Sequence, residues 1–231
     1  MVHVGSVDRL PDTFTVTKKT IHALDLQGRR LFVRVDFNVP IRDGVIGDDT
    51  RIRAALPTLT YALERGATLV LGSHLGRPKG KVNPDFSLRP VAIRLAELLG
   101  RRVVFAEDCI GDAVTVAMGP VGAGGVVLLE NLRFHAGEEA NDLAFAKALA
   151  APADCYVNDA FGAAHRAHAS TAGIVNYLHD AAAGLLMARE LRYLGGLLRS
   201  PSHPFAAILG GAKVSGKMEV IENLLGRVDA L

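Results

Sequence analysis

Short apolar runs alternate along this chain with longer stretches in which apolar residues recur at helical spacing. Runs without strict alternation of apolar and polar positions are typical of parallel strands that are covered on both faces. The predicted strands are Leu31–Val35, Thr68–Leu71, Val103–Phe105, Val126–Leu129, Cys155–Val157 and Phe205–Leu209. The predicted helices are Ala54–Arg65, Leu88–Leu99, Leu143–Ala150, Gly184–Leu198 and Gly216–Leu225.

The order of strand, helix, strand and helix predicts an α/β fold. We expect a three-layer αβα, Rossmann-like arrangement, in which helices lie on both faces of a mainly parallel sheet. The segment RSPSHP, residues 199–204, predicts a hinge or domain boundary, because proline disfavours both helix and strand. The strand and helix predicted after it cannot bury a core of their own, so they either extend the first domain or begin a second one.

Composition excludes several classes of protein. Hydrophobic residues make up 49% and charged residues 22% of the 231 positions, which is typical of a globular protein with a core. The formal net charge of +2 argues against a general nucleic-acid binder, and no apolar run approaches the ~20 residues of a membrane span. The N-terminus lacks the pattern of a secretion signal, and Cys109 and Cys155 are interpreted as buried free thiols, so we expect a cytoplasmic location.

Polar and basic residues follow most of the predicted strands. The residues that follow strands are Asp36, Asn38, His74, Arg77, Arg133, His165, Arg166 and His168. Arg51 joins this set because it lies at the start of a helix that returns to the same sheet. Because ligands of open α/β sheets bind beyond the carboxyl ends of the strands, we expect these side chains to share one site. Arginine grips carboxylate and phosphate oxygens two at a time, so several arginines favour a ligand with several negative charges, such as a phosphorylated carboxylic acid.

The cluster of His165, Arg166 and His168 allows three interpretations. A metal site needs further ligands of matched type, and Asp36 and Asp159 could join the two histidines. The nearby arginines oppose a divalent cation, however, and this favours an anion site in which the histidines shape and polarise the surface. The third interpretation is a solvated loop without a partner.

A second phosphate-seeking segment is GGAKVSGKM, residues 210–218. Gly211, Gly216 and Lys217 match the pattern G-x-x-x-x-G-K of a phosphate-binding loop, but Met218 stands where that pattern has serine or threonine. We interpret the segment as a glycine-rich turn that brings Lys213 and Lys217 near phosphates; the alternative is a plain strand–helix turn with exposed lysines. Two phosphate-seeking regions are what a phosphoryl-transfer enzyme needs, one for the donor and one for the acceptor.

Five segments together resemble one family. They are VRVDFNVP (33–40), GSHLGRPKG (72–80), LLENLRFHAGEEAND (128–142), YVNDAFGAAHRAHAS (156–170) and ILGGAKVSGK (208–217). Their order and spacing resemble those of the phosphoglycerate kinases, from about Leu24 onward. The resemblance implies reversible phosphoryl transfer in glycolysis, between 1,3-bisphosphoglycerate with ADP and 3-phosphoglycerate with ATP. It also implies small-molecule partners without nucleic acid or membrane, and a full-length protein that is a monomer.

The resemblance further implies roles for individual residues. The substrate-binding residues would be Asp36, Asn38, Arg51, His74, Arg77, Arg133 and Arg166. The nucleotide-binding residues would be Gly210, Gly211, Lys213 and Lys217. Arg51 and Lys217 would be catalytic, because they neutralise the charge of the phosphoryl group in transit; no general base is required, since the attacking group is already an anion. No residue of the chain is expected to ligate a metal, and the cofactor would be Mg²⁺ with ATP or ADP.

By the same resemblance, residues 1–20 would be an N-terminal extension, 21–198 a phosphoglycerate-binding domain, and 199–231 a hinge and the beginning of a truncated nucleotide-binding domain. The family's later nucleotide loops and its magnesium-contacting aspartate have no counterpart in the 231 residues. We therefore expect this chain to carry the substrate-binding half and not to turn over by itself. The alternatives are a phosphoglycerate-binding or interaction module without turnover, and a different α/β enzyme or polyanion binder that uses the arginines.

Overall fold

The computed structural model describes residues 18–199, 202–210 and 218–231. The described residues fall into two compact units, and the larger one ends at Ala188. The smaller unit contains the described part of Arg189–Leu231. The functional domains that we expect from the sequence, 21–198 and 199–231, stay predictions.

Six parallel strands form the sheet of the larger unit. The strands of this sheet are β1 (Arg30–Arg34), β4 (Thr68–Gly72), β5 (Val103–Ala106), β6 (Val126–Leu129), β7 (Cys155–Asn158) and β8 (Ala181–Ala183). Strands β2 (Ile41–Arg42) and β3 (Val45–Ile46) form a separate antiparallel hairpin. The order of the strands in the six-stranded sheet is β5-β6-β4-β1-β7-β8, and every neighbouring pair is parallel. The five strands that the apolar runs predict in this unit are confirmed, with bounds that differ by a residue or so.

Helices lie along both faces of this sheet. The helices of the larger unit are α1 (Thr50–Glu64), α2 (Arg89–Leu99), α3 (Asp112–Met118), α4 (Ala136–Glu139) and α5 (Leu143–Ala150). Helix α6 (Leu185–Arg199) begins in the larger unit and continues into the smaller one, which also contains α7 (Met218–Leu225). Five short 3₁₀ helices also occur within the described residues; they are Ile21–Ala23, Pro84–Phe86, Leu132–Phe134, Phe161–Ala163 and Gly173–Asn176. Helix α1 begins four residues before its predicted start, where the Asp48 carboxylate accepts a hydrogen bond of 2.8 Å from the Thr50 backbone N–H.

Each central strand contributes to two separate hydrophobic cores. In β1, Leu31 and Val33 pack in the core with α1 and α2, whereas Phe32 packs in the core with α3 and α5. Strand β4 repeats the alternation, with Leu69 and Leu71 on the first face and Val70 on the second. All of these side chains are fully buried. The continuous apolar runs therefore arise because both faces of the sheet are covered, and the predicted three-layer α/β fold is confirmed.

The smaller unit differs from its predicted elements. The run Phe205–Leu209, predicted as a strand, forms only an isolated bridge between Ala206 and Ala230. Among its apolar residues Phe205 and Ala207 are only half-buried, and Ile208 is 97% exposed. A strand needs a neighbouring strand, and the described part of this unit supplies none. The predicted last helix is present as α7, while Gly216 and Lys217 lie outside the described residues.

Strand register brings several loops to one edge of the sheet. Arg34 at the end of β1 is level with Gly72 of β4 on one side and with Asn158 of β7 on the other. The loops that leave β1, β4 and β7 therefore start at the same height, and the loop after β6 joins them because Leu71 pairs with Leu128. Within the described residues, no helix is both long enough and apolar enough to cross a membrane.

Candidate functional site

A cavity of about 270 Å³ lies beyond the carboxyl ends of the central strands. Its lining consists of Asp36, Asn38, Arg51, His74, Gly76, Arg77, Arg133, Gly162, Ala163 and Arg166. We call this cavity the anion pocket, because four arginines and a single carboxylate line it. All seven residues that the sequence predicts as substrate-binding are thus brought together, although their role stays a prediction.

The loop after β1 supplies the one carboxylate of the anion pocket. Asp36 Oδ2 accepts a hydrogen bond of 2.8 Å from Arg51 Nη1, and Asp36 Oδ1 accepts one of 3.2 Å from the Asn38 backbone N–H. Asn38 Oδ1 in turn accepts from the Gly76 backbone N–H at 2.9 Å. Asp36 and Asn38 therefore hold Arg51 and the loop after β4 in place, before any ligand is considered.

Gly76 is the position in the loop after β4 that only glycine fits. Its φ of +60° lies in the left-handed region, and a Cβ atom at this position would meet the ring of Phe86 at about 2.5 Å. Any other residue would be strained here for both reasons. The Gly76 carbonyl accepts a hydrogen bond of 2.9 Å from Arg133 Nη1, so this turn also fixes an arginine of the anion pocket.

Arg133 is the buried arginine of the anion pocket, with 4% of its surface exposed. Burial lowers the pKa of its guanidinium, the nearby Glu139 opposes that shift, and Arg166 and Arg34 add to it. Glu139 Oε1 lies 3.3 Å from Arg133 Nε. The positive charges around Arg133 therefore outweigh the negative charge of Glu139, and an anion bound in the pocket would reduce the repulsion between the arginines.

Asn131 sets the position of Arg133 without facing the pocket. Its side-chain oxygen accepts hydrogen bonds from the backbone N–H groups of Leu75 and Arg133 at 3.2 and 3.0 Å. Its amide nitrogen donates to the carbonyls of Leu75 and Phe86 at 2.7 and 2.9 Å. This fully buried amide thereby joins the loops that leave β4 and β6.

His74 is neutral in this environment. Burial lowers its pKa to about 2, and the charges of Arg34, Arg133, Arg166 and Arg51 contribute further. Its Nδ1 atom lies 3.1 Å from Arg34 Nη2. His74 therefore offers the pocket a polar ring rather than a charge.

The three exposed arginines of the pocket are Arg51, Arg77 and Arg166. Of the two histidines beside Arg166, His165 is exposed, and its Nε2 accepts a hydrogen bond of 3.3 Å from Arg166 Nε. His168 is buried, and burial lowers its pKa. Neither histidine belongs to the lining of the pocket, so this cluster contributes chiefly through Arg166.

One group of side chains in the described ranges has metal-ligand geometry. The ligand atoms of Asp108, Cys109 and His135 lie within 4.8 Å of one another, away from the anion pocket. His135 Nε2 and Asp108 Oδ1 already bond to each other at 2.6 Å, and burial, followed by nearby carboxylates, raises the pKa of the Cys109 thiol well above its usual value. A cation could bind here only after this hydrogen bond opened and the thiol lost its proton.

The predicted nucleotide residues are for the most part outside the described residues. Gly211, Lys213 and Lys217 fall there, and Gly210 is described and exposed. Their role, and that of Lys217 in catalysis, stays a prediction.

Sequence reasoning missed the residues that support the pocket from behind. Arg34, Asn131, Glu138 and Ser170 are all buried and polar, and the sequence analysis assigns none of them a role in the site. The signal for Arg34 was a charged residue inside an apolar strand, because a buried charge needs partners. The contacts of Glu138 with Ser170 join residues 32 positions apart and exist only in the folded chain.

The family model described as "Phosphoglycerate kinase" matches residues 21–231, and thus more than nine-tenths of the chain. The chain belongs to the phosphoglycerate kinase family. Among the curated proteins, phosphoglycerate kinases from Picosynechococcus sp. and Chloroherpeton thalassium are 57% and 56% identical to it, over 94% and 93% of its length. These alignments cover 55% and 54% of the two relatives, so the chain spans about half the length of the curated relatives it matches.

Solved structures of phosphoglycerate kinases are similar to the fold. The Coxiella burnetii phosphoglycerate kinase superposes with a TM-score of 0.80 at 42% identity, covering 92% of this chain and 53% of that one. The Pyrococcus horikoshii phosphoglycerate kinase gives a TM-score of 0.83 at 35% identity, covering 91% and 54% of the two chains. Sequence and fold therefore agree on the family.

Proposed function

We propose that the anion pocket binds the phosphoglycerate substrate of a phosphoglycerate kinase, as 3-phosphoglycerate or 1,3-bisphosphoglycerate. The reaction would be the reversible transfer of a phosphoryl group between 1,3-bisphosphoglycerate with ADP and 3-phosphoglycerate with ATP. The observation that carries this proposal is the convergence of four arginines on a 270 Å³ cavity with one carboxylate. Membership of the family supports the choice of ligand.

The geometry suggests a division of work within the pocket. Arg133 and His74 are buried and held by backbone and side-chain contacts, so they are preorganised for the ligand. Arg51, Arg77 and Arg166 are exposed and can close on the oxygens of a phosphate or carboxylate. Arg51 would also neutralise charge at the transferring group, which is the main work in phosphoryl transfer.

ATP or ADP with Mg²⁺ would be the second reactant. Magnesium prefers carboxylates, phosphates and water, and the anion pocket offers one carboxylate among four arginines, so the pocket does not fit this ion. The nucleotide residues, the cytoplasmic location and the monomeric state of a full-length protein stay predictions.

Calorimetric titration of the 231-residue chain with 3-phosphoglycerate tests the proposal. We expect saturable binding of one ligand per chain that persists when sulfate replaces chloride at the same ionic strength. Absence of binding to a chain that circular dichroism shows to be folded would remove the ligand assignment. Stronger binding of heparin or RNA than of 3-phosphoglycerate, with a steep salt dependence, would favour the polyanion alternative.

A coupled assay for ATP formation distinguishes a chain that catalyses the reaction from a chain that only binds the substrate. The same preparation is supplied with 1,3-bisphosphoglycerate and Mg-ADP. Binding without turnover is the result that we expect for this chain alone, and robust ATP formation would contradict it.

A further inference from the structure

A buried arginine lies directly behind the anion pocket. Arg34, the last residue of β1, has no exposed surface. Its guanidinium makes three contacts: Nη1 donates to the Val35 carbonyl at 2.5 Å, Nε donates to Ser170 Oγ at 2.7 Å, and Nη2 lies 3.1 Å from His74 Nδ1. A buried charge held this closely restricts the groups around it.

The contact between Arg34 and His74 determines the tautomer of the histidine. A guanidinium nitrogen can only donate a hydrogen bond, so His74 Nδ1 must accept and cannot carry a proton. The proton of the neutral ring is therefore on Nε2. The other charged groups that act on His74 are Arg133, Arg166 and Arg51, and all of them disfavour a second proton.

The same reasoning fixes the direction of the next two hydrogen bonds. Ser170 Oγ accepts a hydrogen bond from Arg34, so the hydroxyl proton of Ser170 is available for donation. The hydroxyl donates it to Glu138 Oε1, which lies 2.6 Å from Ser170 Oγ. Glu138 is fully buried, and its second oxygen accepts from the Ser170 backbone N–H at 3.0 Å. A buried carboxylate therefore balances the charge of Arg34 through one serine hydroxyl.

We propose that Glu138 and Ser170 are positioning residues of the anion pocket, which act through Arg34 to hold His74 as the neutral ring with its proton on Nε2. His74 lines the pocket and would thus present a hydrogen-bond donor to a bound anion. The role of His74 as a donor to bound phosphoglycerate rests on the proposed function. The tautomer itself does not, because it follows from the contacts of the chain alone.

This chain of contacts has a consequence for pH dependence. A histidine that bound an anion as a cation would lose its contribution above its pKa. A neutral ring held with its proton on Nε2 gives the same donor at pH 5 and at pH 8. The contribution of His74 to anion binding should then be insensitive to pH in this range, and any pH dependence should come from the phosphate of the ligand, whose second pKa is about 6.

Nitrogen-15 NMR of the histidine rings tests the tautomer directly. Two-bond proton–nitrogen correlation spectra of the labelled chain, with His74 assigned from the His74→Asn spectrum, report which ring nitrogen is protonated. We expect Nε2 protonated and Nδ1 unprotonated from pH 8 down to pH 5. A proton on Nδ1, or titration of the ring within this range, would overturn the inference.

Two variants test the positioning role. Ser170→Ala removes the hydroxyl between Arg34 and Glu138, and Glu138→Gln removes the charge while keeping the shape. We expect both to change the His74 resonances toward a mixture of tautomers or a titrating ring. We also expect both to weaken 3-phosphoglycerate binding on the order of tenfold, the loss of one hydrogen bond to a charged ligand, and to add a pH dependence that the parent chain does not show.

Ser87→Ala is the matched control. Ser87 Oγ donates to the buried Glu130 at 2.6 Å, the same distance as in the Ser170–Glu138 pair, but this pair does not touch Arg34 or His74. The control should leave the His74 spectrum unchanged, although Glu130 also accepts a hydrogen bond of 2.7 Å from the Asn131 backbone N–H. If Ser170→Ala and Glu138→Gln leave both the His74 spectrum and the ligand affinity unchanged, the positioning role is wrong. If the parent chain shows the expected tautomer but binds no 3-phosphoglycerate, the proposed function fails and the tautomer stands.

Discussion

The larger unit has two depressions that each contain more than one arginine, and of these only the anion pocket has the character of an anion site. The larger depression, about 690 Å³, lies between the β2–β3 hairpin and α2, and we call it the hairpin groove. There Arg94 bonds to Asp49 at 2.8 Å and to Glu97 at 2.5 Å, and Arg89 pairs with Glu107. In the anion pocket, by contrast, four arginines share one lining carboxylate.

The comparison shows that pairing, rather than volume or arginine content, makes an anion site. In the hairpin groove each arginine already has a carboxylate partner, so an incoming anion would compete with a side chain. In the anion pocket the positive charge exceeds its compensation, and the loops are held by neutral groups such as Asn131 and Gly76. A ligand anion is the missing counter-charge there.

The largest expected effect comes from the buried arginine of the pocket. Arg133→Met should weaken 3-phosphoglycerate binding by about 3 kcal/mol, the upper range for losing a hydrogen bond to a charged ligand. Arg94→Met in the hairpin groove is the comparison, and it should leave the affinity unchanged. Calorimetry on both variants measures the difference. Equal losses in the two variants would mean that the two depressions do not differ as binding sites.

A second test uses two arginines of the same helix. Arg51 and Arg53 are 53% and 54% exposed, and each bonds to an aspartate at 2.8 Å. Arg51→Ala should weaken 3-phosphoglycerate binding by about 1–3 kcal/mol and leave the fold intact, whereas Arg53→Ala should not change binding. Since exposure and pairing are matched, an unchanged affinity for Arg51→Ala would remove this residue from the site.

Acid should destabilise the chain through His74. Its pKa is lowered to about 2 in the folded chain, so the native ring stays neutral while the unfolded ring takes up a proton below about pH 6.5. The stabilisation is complete above pH 6.5 and is lost as the pH falls, by up to about 1.4 kcal/mol per pH unit, or about 2 kcal/mol at pH 5.

Urea unfolding at pH 7.5 and pH 5 measures this loss. His74→Gln should show a smaller decrease than the parent chain, and substitution of the exposed His179 by glutamine serves as control. If the parent chain and His74→Gln lose equal stability, His74 is not the group responsible.

The smallest effect is expected in the hairpin groove. Asp49→Asn breaks the ion pairs with Arg53 and Arg94, which are partly exposed. We expect a small decrease in Tm at low salt that disappears at high salt, with no change in 3-phosphoglycerate affinity. A change in affinity would show that the two depressions are coupled.

Much of the sheet could be predicted because burial on both faces produces unbroken apolar runs. Strand β8 (Ala181–Ala183) escaped prediction, since alanine has a low preference for strands and the run is short. Helix α3 (Asp112–Met118) was also missed. The strand predicted at Phe205–Leu209 was wrong, because an apolar run becomes a strand only where another strand pairs with it.

The pocket lining was predictable and its support was not. His74 and Arg133 follow strands and Arg51 lies in the first turn of a returning helix, so topology alone places them together. Glu138 and Ser170 come from a short helix and a distant loop, and no local pattern connects them. Long-range hydrogen bonds of this kind are specified by the whole fold.

The central position of β1 has a consequence for how the chain opens. With β4 on one side, β7 on the other and both faces buried, the amides of β1 can exchange with solvent only when the whole unit unfolds. Hydrogen exchange at Phe32 would therefore report global unfolding, and a ligand at free concentration [L] would slow this exchange by the factor 1 + [L]/Kd. Amides in the loop around Arg166 would exchange through local opening. We therefore expect the pocket to stand on amides that exchange only through global unfolding and to be closed by a loop whose amides exchange faster.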